Sequence, residues 1–239
     1  MIERFVPQAS SFAGDIDGLI TLITVLVGFW FLVAEGIFFY FIFKFKAKDG
    51  QKAQYITGEK KEEKKWVAYP HYAVLVCDVI IIVFAVKVWM TVKQTMPTPD
   101  AKLNIISQQW AWSFEHPGPD GKLGNDDDIR TGDEVHVEVG KTYQFNLVSR
   151  DVLHSFSVPA FRLKQDAVPG RIIMGWFKPT KVGSYDIQCT EICGVGHGLM
   201  PARIVVESPA AHAAWVAEHA EKKLAQSSSA PSNAPTGTN

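Results

Sequence analysis

Two long apolar runs occupy most of the first ninety positions of the chain. Residues 18–43 and 66–91 are almost continuously hydrophobic, and each run is long enough to cross the hydrocarbon core of a bilayer as a helix. The first contains one ionisable residue, Glu35, and the second contains Asp78. The pattern predicts two membrane-spanning helices after an N-terminal segment of residues 1–17.

The segment between the two runs, residues 44–65, is rich in lysine. Loops on the cytoplasmic side of a membrane carry an excess of Lys and Arg, so we expect this segment inside and both ends of the helical hairpin outside. A solvated linker without topological meaning is the alternative. Acidic residues precede the first run, whereas a secretory signal begins with basic ones. We therefore expect the first helix to be retained.

From residue 102 onward the pattern changes to short alternating runs. The segments EVHVEV, YQFNLV and ARIVVE alternate apolar and polar positions between turns rich in Gly, Pro and Asp, which is typical of half-buried strands. Residues 102–207 are therefore predicted to form an all-β sandwich or Greek-key barrel. Residues 208–239 predict an amphipathic helix followed by a disordered tail that is poor in apolar residues.

Charge and cysteine content exclude several classes of protein. The formal net charge is -1, so the chain has no global basic bias of the kind that favours nucleic acid. Its three cysteines, Cys77, Cys189 and Cys193, are too few for a disulfide-rich scaffold. Interactions with partners must therefore depend on local features of the surface.

The segment CTEICGVGHGLM, residues 189–200, places two thiols, an imidazole and a thioether close together after a strand-like run. Such ligands favour copper or zinc over hard cations. His154, which we place at the end of an earlier strand, could complete the set. Copper, a tetrahedral zinc site and a disulfide all fit these residue types. Met200 favours copper, because zinc sites rarely use a thioether.

The Cys-x-x-x-Cys-x-x-x-His-x-x-Met loop, the upstream segment DVLHSF and the aromatic stretch SQQWAWSFE resemble subunit II of cytochrome c oxidases. The resemblance implies a two-helix transmembrane hairpin followed by an all-β cupredoxin-like Greek-key barrel on the outer, periplasmic face of a bacterial cell (inner) membrane. It also implies a dinuclear copper centre, CuA. The implied ligands are the bridging thiolates of Cys189 and Cys193, the imidazoles of His154 and His197, the weakly bound Met200 and the backbone carbonyl of Glu191.

The same resemblance implies a function and a set of partners. The chain would accept electrons from cytochrome c and pass them to haem in subunit I, where oxygen is reduced to water with coupled proton pumping. Subunit I, other oxidase subunits and membrane lipid would be partners, and nucleic acid would not. The Glu191 side chain would help to form a magnesium site at the contact with subunit I. The alternatives are the copper domain of a nitrogen-oxide reductase and a membrane-anchored copper protein outside an oxidase.

Trp110 and Trp112 are separated by one residue, the spacing of side chains on one face of a strand, so core packing explains both. The resemblance instead implies that Trp110 lies over the copper site and receives electrons from cytochrome c. The family usually has a tyrosine between the two tryptophans, where this chain has Ala111.

Residues 115–134 are rich in aspartate and glutamate. An acidic surface here would attract a lysine-rich cytochrome c and speed its association. A solvated loop is one alternative, and a calcium site is another, although the spacing is not that of an EF-hand. Asp151 and Asp166 also match acidic positions that recur in the family.

Overall fold

A computed structural model of the protein describes residues 2–52 and 55–229. The chain divides into two compact units, one formed by Gly14–Gln94 and the other by Ile2–Ala13 together with the chain from Thr95 onward. The disordered tail predicted at the C-terminal end falls mainly in residues 230–239, outside the described residues.

The first unit consists of two long helices. Helix α1 spans Ala13–Lys44, and helix α2 spans Lys61–Trp89 and continues into a π-helical turn, Met90–Gln94. Both are long and apolar enough to cross a membrane, and almost none of their apolar surface is buried within the chain. A core helix of a soluble protein would bury that surface, so these helices require an apolar environment.

Helix α2 begins before the start predicted from hydrophobicity. Its first turn lies in the lysine-rich segment that we predicted as a loop, because Lys and Glu are good helix formers and Lys65 pairs with Glu62 at 2.8 Å. Further along, the Trp30 indole N–H lies 3.1 Å from Cys77 Sγ. Cys77 thus packs between the two helices.

The second unit is a sandwich of two five-stranded sheets. One sheet has the strand order β3-β2-β1-β5-β8 and the other has β4-β10-β9-β6-β7. The strands are β1 (Ala101–Gln108), β2 (Ala111–His116), β3 (Ile129–Gly132), β4 (Glu134–Glu138), β5 (Tyr143–Ser149), β6 (His154–Val158), β7 (Leu163–Ala167), β8 (Ile173–Phe177), β9 (Gly183–Cys189) and β10 (Ala202–Glu207). Two apolar helices followed by a β-sandwich confirm the predicted fold class.

Alternating residues of the strands build the core between the sheets. In β5, Tyr143, Phe145 and Leu147 point inward and are buried. Strand β6 departs from this pattern, since all five of its residues are buried. It lies between β7 and β9 in its sheet, and its polar Ser155 is satisfied by donating to Asp166 Oδ1 at 2.7 Å.

Two segments outside the strands pack on the sandwich. Near the N-terminus, the Ala9 N–H donates to the Ala160 carbonyl, and the Thr180 N–H donates to the Ala9 carbonyl, both at 2.9 Å. At the other end, helix α3 (Pro209–Ser229) lies against β3, β4 and β10 and buries Trp215. The predicted amphipathic helix therefore has its apolar side on the sandwich.

Candidate metal centre

The segment of residues 189–200, here called the thiol loop, leads from β9 to β10 at one end of the sandwich. Cys189 is the last residue of β9, and Cys193 follows in the loop, where only 3% of its surface is exposed. A single 3-10 turn, His197–Leu199, then brings the chain back toward the thiols before Met200 and β10. Both thiols, the imidazole and the thioether thus come from one short connection.

His154 approaches the same loop from a neighbouring strand. It is the first residue of β6 and so lies at one end of a strand that precedes β9 in the chain. Strand β6 pairs with β9 so that Phe156 faces Cys189, which places the start of β6 beside the thiol loop. A non-local strand pairing therefore supplies the second imidazole.

The predicted ligand atoms form one cluster. The sulfur atoms of Cys189 and Cys193 are 3.8 Å apart. His154 Nδ1 and the Glu191 carbonyl oxygen lie 3.9 and 3.4 Å from Cys189 Sγ. On the other side, His197 Nδ1 and Met200 Sδ each lie 3.5 Å from Cys193 Sγ. The ligand atoms of His154, Cys189 and Cys193 all lie within 4.8 Å of one another.

The two thiols are not joined in a disulfide. Their 3.8 Å separation is far longer than the ~2.05 Å of an S–S bond, and both cysteines are free. Burial, followed by the neighbouring Cys189, raises the pKa of Cys193 to about 11, so without a cation this thiol keeps its proton. A metal ion would replace that proton. Two thiols, two imidazoles and a thioether are donors that suit copper.

A carboxylate fixes the orientation of His154. The imidazole is fully buried, and its Nε2 lies 2.9 Å from Asp151 Oδ1, which leaves Nδ1 facing Cys189. Burial raises the pKa of Asp151, but hydrogen bonds from the Gln109 N–H, His154 and the Val152 N–H outweigh it and hold the pKa below its usual value. The ionised carboxylate therefore selects which imidazole nitrogen faces the thiols.

The turn between β1 and β2 covers the thiol loop. Gln109 Nε2 and Trp110 Nε1 both donate to the Cys193 carbonyl, at 2.8 and 3.3 Å. The Trp110 ring lies so close to Gly196 that a Cβ there would come within 2.4 Å of it. Glycine at this position therefore allows the indole to lie flat against the loop.

The two tryptophans of the aromatic stretch do not share a strand face. Trp110 lies in the turn and is 41% exposed, whereas Trp112 lies in β2 and is fully buried. The Trp112 indole donates to the Met200 carbonyl at 3.0 Å. The strand-face interpretation of these residues was wrong, because Trp110 belongs to the turn and only Trp112 belongs to a strand.

The Glu191 side chain forms an ion pair with a lysine of β7. Its Oε1 lies 2.9 Å from Lys164 Nζ, which also binds Asp166 Oδ1 at 2.8 Å. Hydrogen bonds to Asp166 and then to Glu191 raise the pKa of Lys164. In this chain the carboxylate predicted to bind magnesium is therefore paired with a cation of the protein.

Several acidic residues of the 115–134 stretch have structural partners. Asp133 Oδ1 accepts a hydrogen bond from the Trp112 N–H at 2.9 Å, and Glu115 binds Arg130 at 3.0 Å. Glu134 lies 2.7 Å from His136 Nε2. Much of the acidic charge in this stretch is thus used to hold the fold together.

Comparison with known proteins identifies the family. Residues 102–209 match the model of the cytochrome c oxidase subunit II periplasmic domain. The alternative cytochrome c oxidase subunit 2 of Bradyrhizobium diazoefficiens is 33% identical over 225 residues, which cover 85% of this chain and 79% of the relative. The cytochrome c oxidase subunit 2 of Cereibacter sphaeroides is 29% identical over 242 residues, 89% of this chain and 78% of that one.

Among solved structures, the periplasmic domain of cytochrome oxidase subunit II of Bradyrhizobium japonicum is similar, with 31% identity and a TM-score of 0.48. The match covers 54% of this chain and 99% of that one. The sandwich that carries the thiol loop is the periplasmic domain that the family model describes. The chain belongs to the cytochrome c oxidase subunit 2 family, the second subunits of haem-copper oxidases.

Proposed function

We propose that this chain is the electron-accepting subunit of its oxidase and that the thiol cluster holds a dinuclear copper centre. The observation that carries the proposal is the convergence of two thiols, two imidazoles, a thioether and a carbonyl around one S···S pair 3.8 Å apart. A copper pair sharing two thiolates would supply one-electron redox chemistry. The proposed ligands are His154, Cys189, Glu191 through its carbonyl, Cys193, His197 and Met200.

The role of the surrounding protein is to hold these donors rigid. The Cys193 carbonyl accepts from Gln109 and Trp110, and the Met200 carbonyl accepts from Trp112. These bonds tie the interior of the loop and its C-terminal end to the β1–β2 region. A loop held in this way changes little in geometry when one electron arrives or leaves, which keeps the barrier to transfer low.

We propose that cytochrome c docks over Trp110. This indole is partly exposed and donates to the backbone of a proposed ligand, Cys193. Ile192, Val195 and Leu199 of the same loop are each more than four-fifths exposed, and an exposed apolar patch of this kind favours a protein partner. The electron would then pass to haem in subunit I, where oxygen reduction and proton pumping take place.

The membrane arrangement is part of the same proposal. Helices α1 and α2 would cross the bacterial cell membrane as a hairpin, with the lysine-rich connection in the cytoplasm and the β-sandwich in the periplasm. The magnesium site shared with subunit I stays a prediction. A cation at the Glu191 carboxylate would have to compete with Lys164, which occupies it at 2.9 Å.

Substituting one ligand tests the proposal on the intact oxidase complex. Met200→Leu removes the buried thioether, and Met174→Leu, on an exposed position of β8, is the matched control. We expect two coppers per subunit and a paramagnetic spectrum of one electron shared equally by two copper nuclei in the wild type and in Met174→Leu. In Met200→Leu the spectrum and the reduction potential should change.

Cys193→Ser should abolish the shared-electron spectrum and the oxidation of cytochrome c while leaving haem in subunit I. Zinc in place of copper, or an unchanged spectrum in Met200→Leu and Cys193→Ser, would show that the cluster has another role. Activity with nitrogen oxides but not with oxygen would assign the chain to a reductase of those substrates.

A further inference from the structure

The connection between β2 and β3 contains two inward-facing carboxylates. Within this loop, residues 117–128, Asp126 is exposed, but Asp128 is only 6% exposed and Oδ1 of Asp127 is shielded from solvent. Burying one aspartate beside another is unfavourable, because each loses hydration and repels its neighbour. The loop must therefore offer these carboxylates some compensation.

Backbone N–H groups of the loop donate a hydrogen bond to one oxygen of each carboxylate. Asp128 Oδ2 accepts the Gly124 N–H at 2.8 Å, and Asp127 Oδ2 accepts the Asp120 N–H at 3.3 Å. Both side chains are thus turned back over the same bend of residues 120–124. Their second oxygens are consequently held inside the loop and not directed to solvent.

The second oxygen of each carboxylate has no hydrogen-bond partner. Oδ1 of Asp127 and Oδ1 of Asp128 are buried without any hydrogen-bond partner, and no other buried side-chain oxygen or nitrogen is in this condition among the side chains of residues 3–52 and 55–223. Lys223 approaches, but its Nζ donates to the backbone carbonyl of Asp128 at 2.7 Å. An unpaired buried carboxylate oxygen costs about 1–3 kcal/mol or more, so two together indicate a missing positive group.

We propose that this loop binds a divalent cation, calcium, through Oδ1 of Asp127 and Oδ1 of Asp128. Carboxylates and backbone carbonyls are the ligands of hard cations, and calcium accepts irregular coordination, whereas magnesium demands near-octahedral geometry. The loop is closely folded around these groups. A Cβ on Gly118 would lie 2.4 Å from the Asp127 carbonyl oxygen, and Gly124, with φ +102°, adopts a backbone that favours glycine.

The site is independent of the copper centre in chemistry and in sequence. It offers only oxygen donors, whereas the thiol cluster offers sulfur and imidazole, so the failure of either proposal leaves the other standing. Two aspartates are fewer anionic ligands than high-affinity calcium loops provide. We therefore expect a Kd on the order of 10⁻⁴–10⁻³ M, the range of extracellular calcium modules.

Calcium binding to the full chain in detergent provides the test. After treatment with a chelator, equilibrium dialysis against calcium with metal analysis should give one calcium per chain. Thermal unfolding followed by circular dichroism should show a Tm higher by roughly 3–11 °C at about 10 mM calcium. Asp128→Asn should lower the calcium affinity at least tenfold and reduce the shift in Tm accordingly.

Asp126→Asn is the matched control, since it removes the same formal charge from an exposed neighbour in the same loop. It should bind calcium like the wild type. Should Asp128→Asn fail to fold, Asp127→Asn replaces it, with the same expected loss of binding. The absence of calcium binding at about 10 mM, or an equal loss of affinity in Asp126→Asn, would overturn the site.

Discussion

Acid should loosen the packing of helix α3 on the sandwich through one buried histidine. Trp215 of α3 is surrounded by four imidazoles, with ring centroids 5.0 Å away for His116, 4.4 Å for His136, 5.9 Å for His212 and 4.3 Å for His219. Of these, His116 is the one buried almost completely, at 2% exposed. Protonation of its ring would place a charge beneath Trp215.

The size of the effect follows from the pKa of His116. Burial, followed by the charges of His136, His212 and His219, lowers the pKa from 6.5 to about 3, and a hydrogen bond with the His136 backbone opposes this only in part. Below pH 6.5 the unfolded chain therefore binds a proton that the folded chain refuses. The free energy of unfolding must then fall as the pH falls, between about 6.5 and 3.

At pH 4.5 the loss from this residue alone is about 2.7 kcal/mol relative to pH 8, because each pH unit below 6.5 costs about 1.36 kcal/mol. This is a large fraction of the stability of a typical domain. Above pH 6.5 the ring is neutral in both states and contributes no pH dependence. His116 therefore affects the free energy of unfolding only on the acidic side of its pH dependence.

His116→Gln removes the titration and tests this reasoning. We expect the variant to be less stable than the wild type at pH 8, because packing against Trp215 is lost, but the difference should shrink by about 2.7 kcal/mol at pH 4.5. Denaturant unfolding of the full chain in detergent, followed by near-ultraviolet circular dichroism, measures both. His71→Gln, at an exposed position of α2, should run parallel to the wild type. If the unfolding free energy of His116→Gln also runs parallel to that of the wild type across the pH range, the assignment of this pH dependence to His116 is refuted.

Two further predictions concern the thiol loop and its surroundings. Gly196→Ala should displace Trp110, because its Cβ would meet the indole at 2.4 Å, and should slow cytochrome c oxidation roughly tenfold or more. Gly198→Ala is the control, because Gly198 has open space around it, and it should leave oxygen uptake unchanged. Equal rates in the two variants would contradict the role of Trp110. Asp151→Asn weakens the hydrogen bond that orients His154 and should lower copper affinity by about 10–100-fold. Competition with a copper chelator measures the affinity, and an unchanged value would contradict the orienting role of Asp151.

The sequence predicts the two long apolar helices and the thiol loop well, because both are local. A run of apolar residues specifies a spanning helix without reference to the rest of the chain. Cys189, Cys193, His197 and Met200 lie in one connection between two strands, so their convergence needs only a tight loop. Soft donors at such short spacing are informative whatever the surrounding fold.

Interactions between distant strands could not be predicted in the same way. The spacing of Trp110 and Trp112 suggested one strand face, but Trp110 lies in the turn that the β1–β2 pairing creates. The donation from Gln109 to Cys193 likewise depends on which strands are neighbours. An alternation of apolar residues gives the buried face of a strand, but it does not give the partner of that strand.

The two candidate metal sites divide the donor atoms of the sandwich by softness. Sulfur and imidazole are concentrated between β9 and β10, where Cys193 and Met200 are buried, and the unsatisfied carboxylate oxygens lie between β2 and β3. Thiolates bind calcium poorly, and a pair of carboxylates is a weak ligand set for cuprous ion. In a compartment that contains both metals, each of the two proposed sites would therefore select its own ion. Specificity would follow from keeping the two kinds of donor in separate loops.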